Sequence, residues 1–526
     1  MFHSKLWYII ILIIFFINTD RFKITVEGKS NGFFQREPDL DKNDNNKPKN
    51  ILVASKIGGI SHLRPMLEIC KILEDRGYKI TLASPGNFTA TSTLYHSIPQ
   101  IITGERPKTH ESIFRNKFTM ETLFNINMNL INEYAEDFNN YLQAYKETKA
   151  DLFFCDYMAN DACFDLAWKL NKPVVGFSRV LTPHPPYVAR PILGCRVNME
   201  NESFYNRFIC AVIKPLQLQW YSRKYLNYLN DKRAEVGVSI HDFRERLMNT
   251  LFLVDNFFGF EVSFARLPIY KEVGPILPDT SPNLTSDLNL FLSTHPRTMY
   301  IALGTTVYTT PENFAILLHS ILELINQNIL DGVIWATGLF NESELASTFT
   351  LTTNDVIFTS NILNNSYPHI RIIKYSPQFA ILSHENTKVF LGHGGVGSYH
   401  EAMLTATPML VLPIAFDQIV NADALELTGK HKGADLIEIV MNLAKLNKAM
   451  NEDNELEADN RVLLKHWTNP DSRLGLIRGN NLDVFVIVIA LISGLGYGFY
   501  KIMFTFKRQS LNDGNPRESS SKPKNE

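Results

Sequence analysis

Residues 388–402 read Lys-Val-Phe-Leu-Gly-His-Gly-Gly-Val-Gly-Ser-Tyr-His-Glu-Ala. A short apolar run enters a glycine-rich turn, and residues with helical patterning follow it. That arrangement suits an anion. Glycines let the backbone approach a phosphate closely, and the first turn of the following helix offers unpaired N–H groups and a positive dipole end. Gly394 and Gly395 supply the close approach, His393 and Ser398 add side-chain donors, and Glu401 falls within reach of a ribose diol. The same glycines equally serve a tight turn that packs a helix on a strand. The run is not the G-x-G-x-x-G of a dinucleotide site, and the C-terminal half around it holds no D-x-D or other carboxylate cluster with metal-ligand spacing.

Two series of elements must position this turn. The first opens with the strand Ile51 to Ser55, a Gly-rich turn, a helix from Leu63 to Arg76 stopped by Gly77, and the strand Lys79 to Ser84. A helix from Met120 to Thr148, a strand Asp151 to Asp156, a helix from Ala159 to Leu170 and a strand Pro173 to Ser178 continue it. Residues 184–249 are expected to be helical and aromatic-rich, most simply a plain core, with the lining of a pocket or contact with a membrane as alternatives. Strands at 298–303, 332–336, 371–375, 388–391 and 409–412 form the second series, after a Pro/Gly/Ser/Thr/Asn-rich linker at 274–290. Two successive β-α series predict an α/β protein of two facing Rossmann-like, doubly wound parallel domains, with ligands beyond the carboxyl ends of the strands.

Residues Tyr375 to Gln418 resemble the signature of the UDP-glycosyltransferase family, the membrane-bound glucuronosyltransferases and their fungal and plant relatives. The likeness rests on Tyr375-Ser-Pro-Gln378, Leu382-Ser-His384, His393-Gly-Gly395, Glu401-Ala402, Thr407-Pro-Met409 and Pro413-x-x-x-Asp417-Gln418. A weaker likeness runs from about Ile51 to the tail. It implies a GT-B arrangement, with an acceptor-binding domain over 50–273 and a UDP-sugar-binding domain over 291–480.

The resemblance also implies roles. Tyr375 takes the place of an aromatic, usually Trp, on which uracil stacks, although a core aromatic is the plainer reading of one tyrosine. Gln378 would contact base or ribose, and Glu401 the ribose hydroxyls. His393, Gly394, Gly395 and Ser398, with Thr305 and Thr306, would hold the diphosphate. Asp417 and Gln418 would bond the sugar hydroxyls, while Asp417 also suits a helix N-cap. His62, after the first strand, matches the general base, and Asp156 the acid that orients it. These parts imply an inverting, single-displacement transfer of a hexose or hexuronic acid to a lipophilic hydroxyl of sterol, lipid or phenolic type. No cofactor or metal is called for, because the UDP-sugar is itself the donor substrate.

The net charge of −2 over 526 residues gives no reason to expect a nucleic-acid partner. Five cysteines without C-x-x-C spacing read mostly as small buried hydrophobes, with Cys195–Cys210 open to pairing in an oxidising compartment. Leu6 to Ile17 has the length of a signal-peptide core, giving a signal peptide over 1–19, with an uncleaved anchor or buried helix as the alternative. A polar, disordered leader is expected over 20–49. The apolar run 484–506 is long enough to span a bilayer, and Lys507-Arg508 after it put the tail 507–526 in the cytoplasm. The body would then lie in the lumen of the endoplasmic reticulum or a related secretory compartment, as a single-pass type I glycoprotein with sequons at Asn87, Asn201, Asn283, Asn341 and Asn364. Self-association is left open.

Relatives normally continue after the Asp-Gln helix with a turn, a strand and another helix. Here 421–429 passes almost directly into Lys430-His-Lys-Gly-Ala-Asp435, so the domain is expected to be shortened near 428–434. Gly397 also stands where many relatives carry Asn. Two alternatives follow: a catalytically impaired, membrane-anchored binding or regulatory subunit, and an epimerase or hydrolase on the same scaffold.

Overall fold

The computed structural model describes residues 49–106, 118–179, 195, 202–240, 243–257, 268–304, 310–337, 345–414, 417–419, 421–422, 477 and 481–513. The expected signal peptide and leader, Thr305, Thr306, and the shortened stretch near 428–434 lie outside them.

The first domain runs β1 (Asn50–Ala54), α1 (Ile60–Asp75), β2 (Lys79–Ser84), α2 (Phe88–Thr91), β3 (Gln100–Ile102), α3 (Met120–Ile131), α4 (Tyr134–Thr148), β4 (Leu152–Asp156), α5 (Asp161–Lys169) and β5 (Val174–Ser178). It continues through α6 (Phe204–Phe208), a π-helical turn at Ile209–Ile213, α7 (Lys214–Glu235), α8 (Phe243–Asn249), β6 (Leu251–Val254) and β7 (Tyr270–Glu272). Its seven strands are all parallel, in the order β3-β2-β1-β4-β5-β6-β7. Such a sheet is covered on both faces, which is why β1 and β4 read as unbroken apolar runs. Leu52, Val53, Ala54, Phe153 and Cys155 are fully buried.

The second domain runs α9 (Ser286–Thr294), β8 (Thr298–Ala302), α10 (Pro311–Asn326), β9 (Gly332–Ala336), β10 (Thr348–Thr350), β11 (Val356–Phe358), α11 (Thr359–Leu363), β12 (Ile370–Ile373), α12 (Gln378–Leu382), β13 (Thr387–Gly392), α13 (Val396–Leu404) and β14 (Met409–Val411). Five strands form a parallel sheet in the order β12-β9-β8-β13-β14, and β10–β11 is a separate antiparallel hairpin. Thr310 caps α10 by accepting from Asn313 N at 3.3 Å, ahead of Pro311 at the first helical position.

The order of each sheet reverses at one place. In the first, the chain leaves β1 to one side for β2 and returns on the other at β4; in the second, β8 is flanked by β9 and β13. Crevices beyond the carboxyl ends of strands open at such switch points. His62 lies in the first turn of α1, which follows β1, Asp156 is the last residue of β4, and the turns after β8 and β13 carry Gly304 and His393.

Several expectations shift. The single helix over 120–148 is two, because Asn132 and Glu133 break it; the turn lets Tyr134 bury its hydroxyl against Asp165 at 2.8 Å. The linker stops at Thr285 rather than 290: the Thr285 hydroxyl accepts from Leu288 N at 3.3 Å and starts α9, whose Leu288, Phe291 and Leu292 enter the second core. Strands β3, β7, β10 and β11 are three residues each, too short to show a period. Cys155 and Cys163 are bonded, with Cα atoms 6.1 Å apart, because α5 folds back over the end of β4; Cys195 pairs with Cys210, and Cys70 is buried and free. The apolar run at 484–506 lies inside a longer helix, α14 (Leu482–Asp513), of which Leu482–Thr505 is long and apolar enough to cross a membrane. Arg207 in α6 joins the body to that helix, donating from Nη1 to Asp483 Oδ1 at 3.1 Å.

Candidate active site

His62 sits in the first turn of α1, and the turn before it is fixed by a backbone requirement. Gly58 has φ +60°, and a Cβ there would stand 2.6 Å from the Pro85 carbonyl oxygen, so only glycine fits. Lys56 anchors the same turn by donating to Asp137 at 2.9 Å and pairing with Glu133. Burial pushes the Asp137 carboxyl up to about 6, against the pull of Lys56.

The imidazole is nearly buried, 9 % exposed. Its Nδ1 lies 3.1 Å from Asp156 Oδ2 and 3.3 Å from Oδ1. Asp156 is held in turn by Ser55, whose hydroxyl donates to Oδ2 at 2.9 Å. Burial alone pushes the imidazole down, but the Asp156 carboxylate outweighs it and holds His62 above its ordinary 6.5. Asp417, from the other domain, adds to that rise, and Arg179 opposes it. An imidazole and a carboxylate, paired as a base and its orienting acid would need to be, are therefore assembled at the switch point of the first sheet.

The second domain brings its own set. Gln378 Nε2 donates to Glu401 Oε2 at 2.8 Å and to Ser398 Oγ at 3.3 Å. Tyr300 donates to Gln378 Oε1 at 3.3 Å and shares a 2.6 Å bond with Ser376. Burial raises the Glu401 carboxyl, while Gln378 and Arg64 draw it back down. Tyr375 is 65 % exposed, its ring open to a stacking partner.

Beside this set, His393 stands between two glycines that make room for it. A Cβ on Gly304 (φ +94°) would come within 2.8 Å of His393 Nε2, and one on Gly395 within 2.4 Å. Burial pushes this imidazole down to about 4, so it is neutral at ordinary pH and acts as a hydrogen-bonding group rather than a cation. Its Nδ1 has no hydrogen-bond partner among the described residues. A Cβ on Gly394 (φ +84°) would come within 2.9 Å of Val411 and 3.2 Å of the Gln418 carbonyl oxygen, and Gly395 is the residue from which α13 starts.

Asp417 and Gln418 lie next to the turn. Asn421 donates from Nδ2 to Asp417 Oδ2 at 2.7 Å and to the Gly394 carbonyl at 2.9 Å, tying the acid to the glycine turn. Burial raises the Asp417 carboxyl, against Asn421, His62 and Arg179. Gln418 is buried, and its Oε1 accepts from Ile414 N at 3.0 Å. The Asp417 backbone carbonyl accepts from Asn421 N at 2.9 Å, an i to i+4 bond that opens a helical turn.

The two sets meet across the cleft. Arg64 reaches from α1 to Glu401 at 3.5 Å, and Asp255 after β6 lies 3.8 Å from His400 in α13. Thus His62 and Asp156 come together, as do Gln378, Ser398 and Glu401, with Tyr375, His393, Gly394, Gly395, Asp417 and Gln418 beside them. Among the described residues no group of three or more His, Cys, Asp or Glu gathers to hold a metal ion. Arg64, Arg179, Tyr300, Ser376 and Asn421 are contributors that sequence reasoning passed over. Of these, Ser376 lay within the quoted run Tyr375-Ser-Pro-Gln378 without being given a role, and Gly58 was visible in the run Lys56-Ile-Gly-Gly-Ile60.

Residues 170–460, more than half the chain, match the family described as "UDP-glucoronosyl and UDP-glucosyl transferase". The chain belongs to the UDP-glycosyltransferase family. This UDP-glycosyltransferase is 25% identical over 524 residues to the UDP-glycosyltransferase stmC of Aspergillus ustus, covering 85% of this chain and 95% of that one. It is 31% identical over 303 residues to UDP-glycosyltransferase 1 of Phaeomoniella chlamydospora, covering 56% and 60% of the two chains. Among solved structures, the glycotransferase of kitacinnamycin superposes with a TM-score of 0.48 at 17% identity, over 72% of this chain and 84% of that one. The two facing parallel sheets of the glycosyltransferase are the GT-B arrangement, and the family transfers sugars from UDP-sugars.

Proposed function

We propose that this UDP-glycosyltransferase moves a hexose or hexuronic acid from a UDP-sugar to a lipophilic hydroxyl, with inversion at the anomeric carbon. The observation that carries the reading is the base–acid pair His62–Asp156 on one domain, facing Asp417 and the Gln378–Ser398–Glu401 set on the other. Asp156 holds Nδ1, which leaves Nε2 to take the acceptor proton. The acceptor oxygen then attacks C1 from the side opposite UDP. Tyr375 stacks the uracil, and Gln378 and Glu401 bind ribose. Neutral His393, Thr305, Thr306, Gly394, Gly395 and Ser398 donate to the diphosphate, where charge develops. Asp417 and Gln418 address the sugar. No metal or other cofactor enters this scheme.

Three features support a luminal body on a single-pass anchor. The helix Leu482–Thr505 is long and apolar enough to span a bilayer, and Lys507-Arg508 follow it. Two disulfides suit an oxidising compartment. Asn87, Asn283 and Asn364, each in a sequon, are exposed. Endoplasmic-reticulum residence is part of the same reading.

A binding or regulatory subunit is favoured by one observation, the short passage from Asn421 to Asp435 where relatives carry a further strand and helix. Measuring UDP release with a panel of UDP-sugars and sterol or phenolic acceptors separates the two. Transfer that disappears in His62→Ala supports the enzyme. UDP binding without turnover supports the subunit.

A further inference from the structure

Arg179 is the first residue after β5, a strand of the acceptor domain, yet its guanidinium lies against the donor domain. It is 6 % exposed. Each of its nitrogens has a separate setting. Nη1 donates to the Ser61 carbonyl at 2.7 Å, one residue before the candidate base. Nε is 3.0 Å from Oδ2 of the fully buried Asp255, whose other oxygen accepts from Ile276 N at 2.8 Å. Nη2 points at Gly397, the second residue of α13: a Cβ there would come within 2.6 Å of it. No hydrogen bond among the described residues engages Nη2.

A guanidinium directs five N–H donors in a fixed plane, so the Nη1 bond to Ser61 and the ion pair with Asp255 together fix where Nη2 points. It points into the first turn of a nine-residue helix, where backbone amides are unpaired and the dipole end is positive. A cation brought there without an anion is repelled by that end. The buried Asp255 offsets part of this, and His400, pushed down by burial and by Arg179, stays neutral beside it. Glycine at 397 leaves the space that the guanidinium fills, which accounts for the side chain missing from this helical position.

We propose that Arg179 supplies, from the acceptor domain, a charged donor to the diphosphate of the UDP-sugar at the start of α13. The inference rests on the UDP-sugar reading of the site. As the acceptor oxygen bonds to C1 and gives its proton to His62, the C1–O bond to the β-phosphate breaks and its electron pair passes to the phosphate oxygen. Nη2 is placed to bond the oxygens over which that charge spreads. Because Nη1 holds Ser61, the same side chain ties the position of the base to that of the leaving group.

The test compares UDP with uridine, which lacks the phosphates, by calorimetric titration of the full-length protein in detergent. Arg179→Met and the pair Arg179→Met/Asp255→Asn, which leaves no buried carboxylate unpaired, are each expected to weaken UDP binding about tenfold while uridine affinity holds within about twofold. Gly397→Ala, which keeps the Arg179–Asp255 pair, is expected to cause the same selective loss, and to add little in the Arg179→Met background. This arm decides the matter where the arginine variants do not fold. Parallel weakening of UDP and uridine would show Arg179 to be a structural prop and overturn the proposal, as would unchanged UDP affinity in folded variants. Absence of UDP binding in the unaltered protein sinks the UDP-sugar reading itself, a result distinct from either.

Discussion

His62 Nδ1 and Asp156 Oδ2 lie 3.1 Å apart although 94 residues separate them in the chain. They meet because β1 and β4 are neighbours at the switch point of the first sheet: Asp156 ends β4, and His62 lies in the first turn of the helix that follows β1. The contact orients the ring and sets its proton affinity.

The pH profile follows from that contact. Asp156 holds the imidazole above 6.5, and a general base must be unprotonated, so kcat/KM is expected to rise with pH through a limb centred above 6.5. Asp156→Asn moves the limb downward and lowers kcat by roughly a hundredfold or more. The stability linkage runs the other way. A raised histidine stabilises the fold fully below its unfolded value near 6.5, and that contribution is lost as pH rises through the folded value. Thermal melts of the two proteins from pH 5 to 8 check this: the difference in Tm is expected to shrink as pH rises.

Gln378 links Glu401, Ser398 and Tyr300. Gln378→Ala removes the donor to a buried carboxylate and leaves Glu401 without that bond. UDP affinity is expected to fall roughly ten- to a hundredfold, from a charged hydrogen bond of roughly 1.5–3 kcal/mol. Calorimetric titration with UDP reads it, and an unchanged Kd would remove Gln378 from the donor site.

Gly58→Ala meets two obstacles, a left-handed backbone at φ +60° and the Pro85 carbonyl 2.6 Å from the new Cβ. The left-handed conformation alone costs about 1–2 kcal/mol in a residue with a side chain. A fall in Tm is expected, with a kcat loss beyond it, because the turn that carries His62 must shift. Gly77, also at positive φ but with no heavy atom within 4 Å of a Cβ, should lose stability without the additional kcat loss.

Beneath the acceptor domain, Arg233 in α7 makes two bonds to Asp165 in α5, at 2.7 and 3.1 Å, with both side chains buried. Arg233→Met leaves that carboxylate short of a partner and is expected to cost about 3–5 kcal/mol in unfolding. Arg233→Met/Asp165→Leu should regain only part of it, since the double change removes two buried charges but takes the acceptor from the Tyr134 hydroxyl and a neighbouring carboxylate from Arg246. Chemical denaturation of the three proteins measures both steps.

The two parallel sheets and the donor turn were legible because their signals are local. β1, β4 and β8 are buried on both faces and so read as apolar runs, β13 shows the shorter run Val389-Phe-Leu391, and Gly394, Gly395 and His393 occupy consecutive positions in one turn. Short strands such as β3 and β7 left no period to read. The break at Asn132 also escaped, because nothing near it in sequence stops a helix; Tyr134 is drawn instead to Asp165, 31 residues on.

By itself, the sequence determined the fold class, the glycine turn and the types of residue able to bind a nucleotide sugar, since each depends on neighbours in the chain. Tertiary structure alone decided which of them meet. Spacing relates neither Arg179 to Gly397 nor Tyr300 to Gln378, because their distances come from strand order and from two sheets closing on one cleft. The charge states were decided there too. His62 is held up and His393 down to about 4, although the two residues are chemically identical: one is buried beside a carboxylate, the other between two glycines with no acid to share its proton.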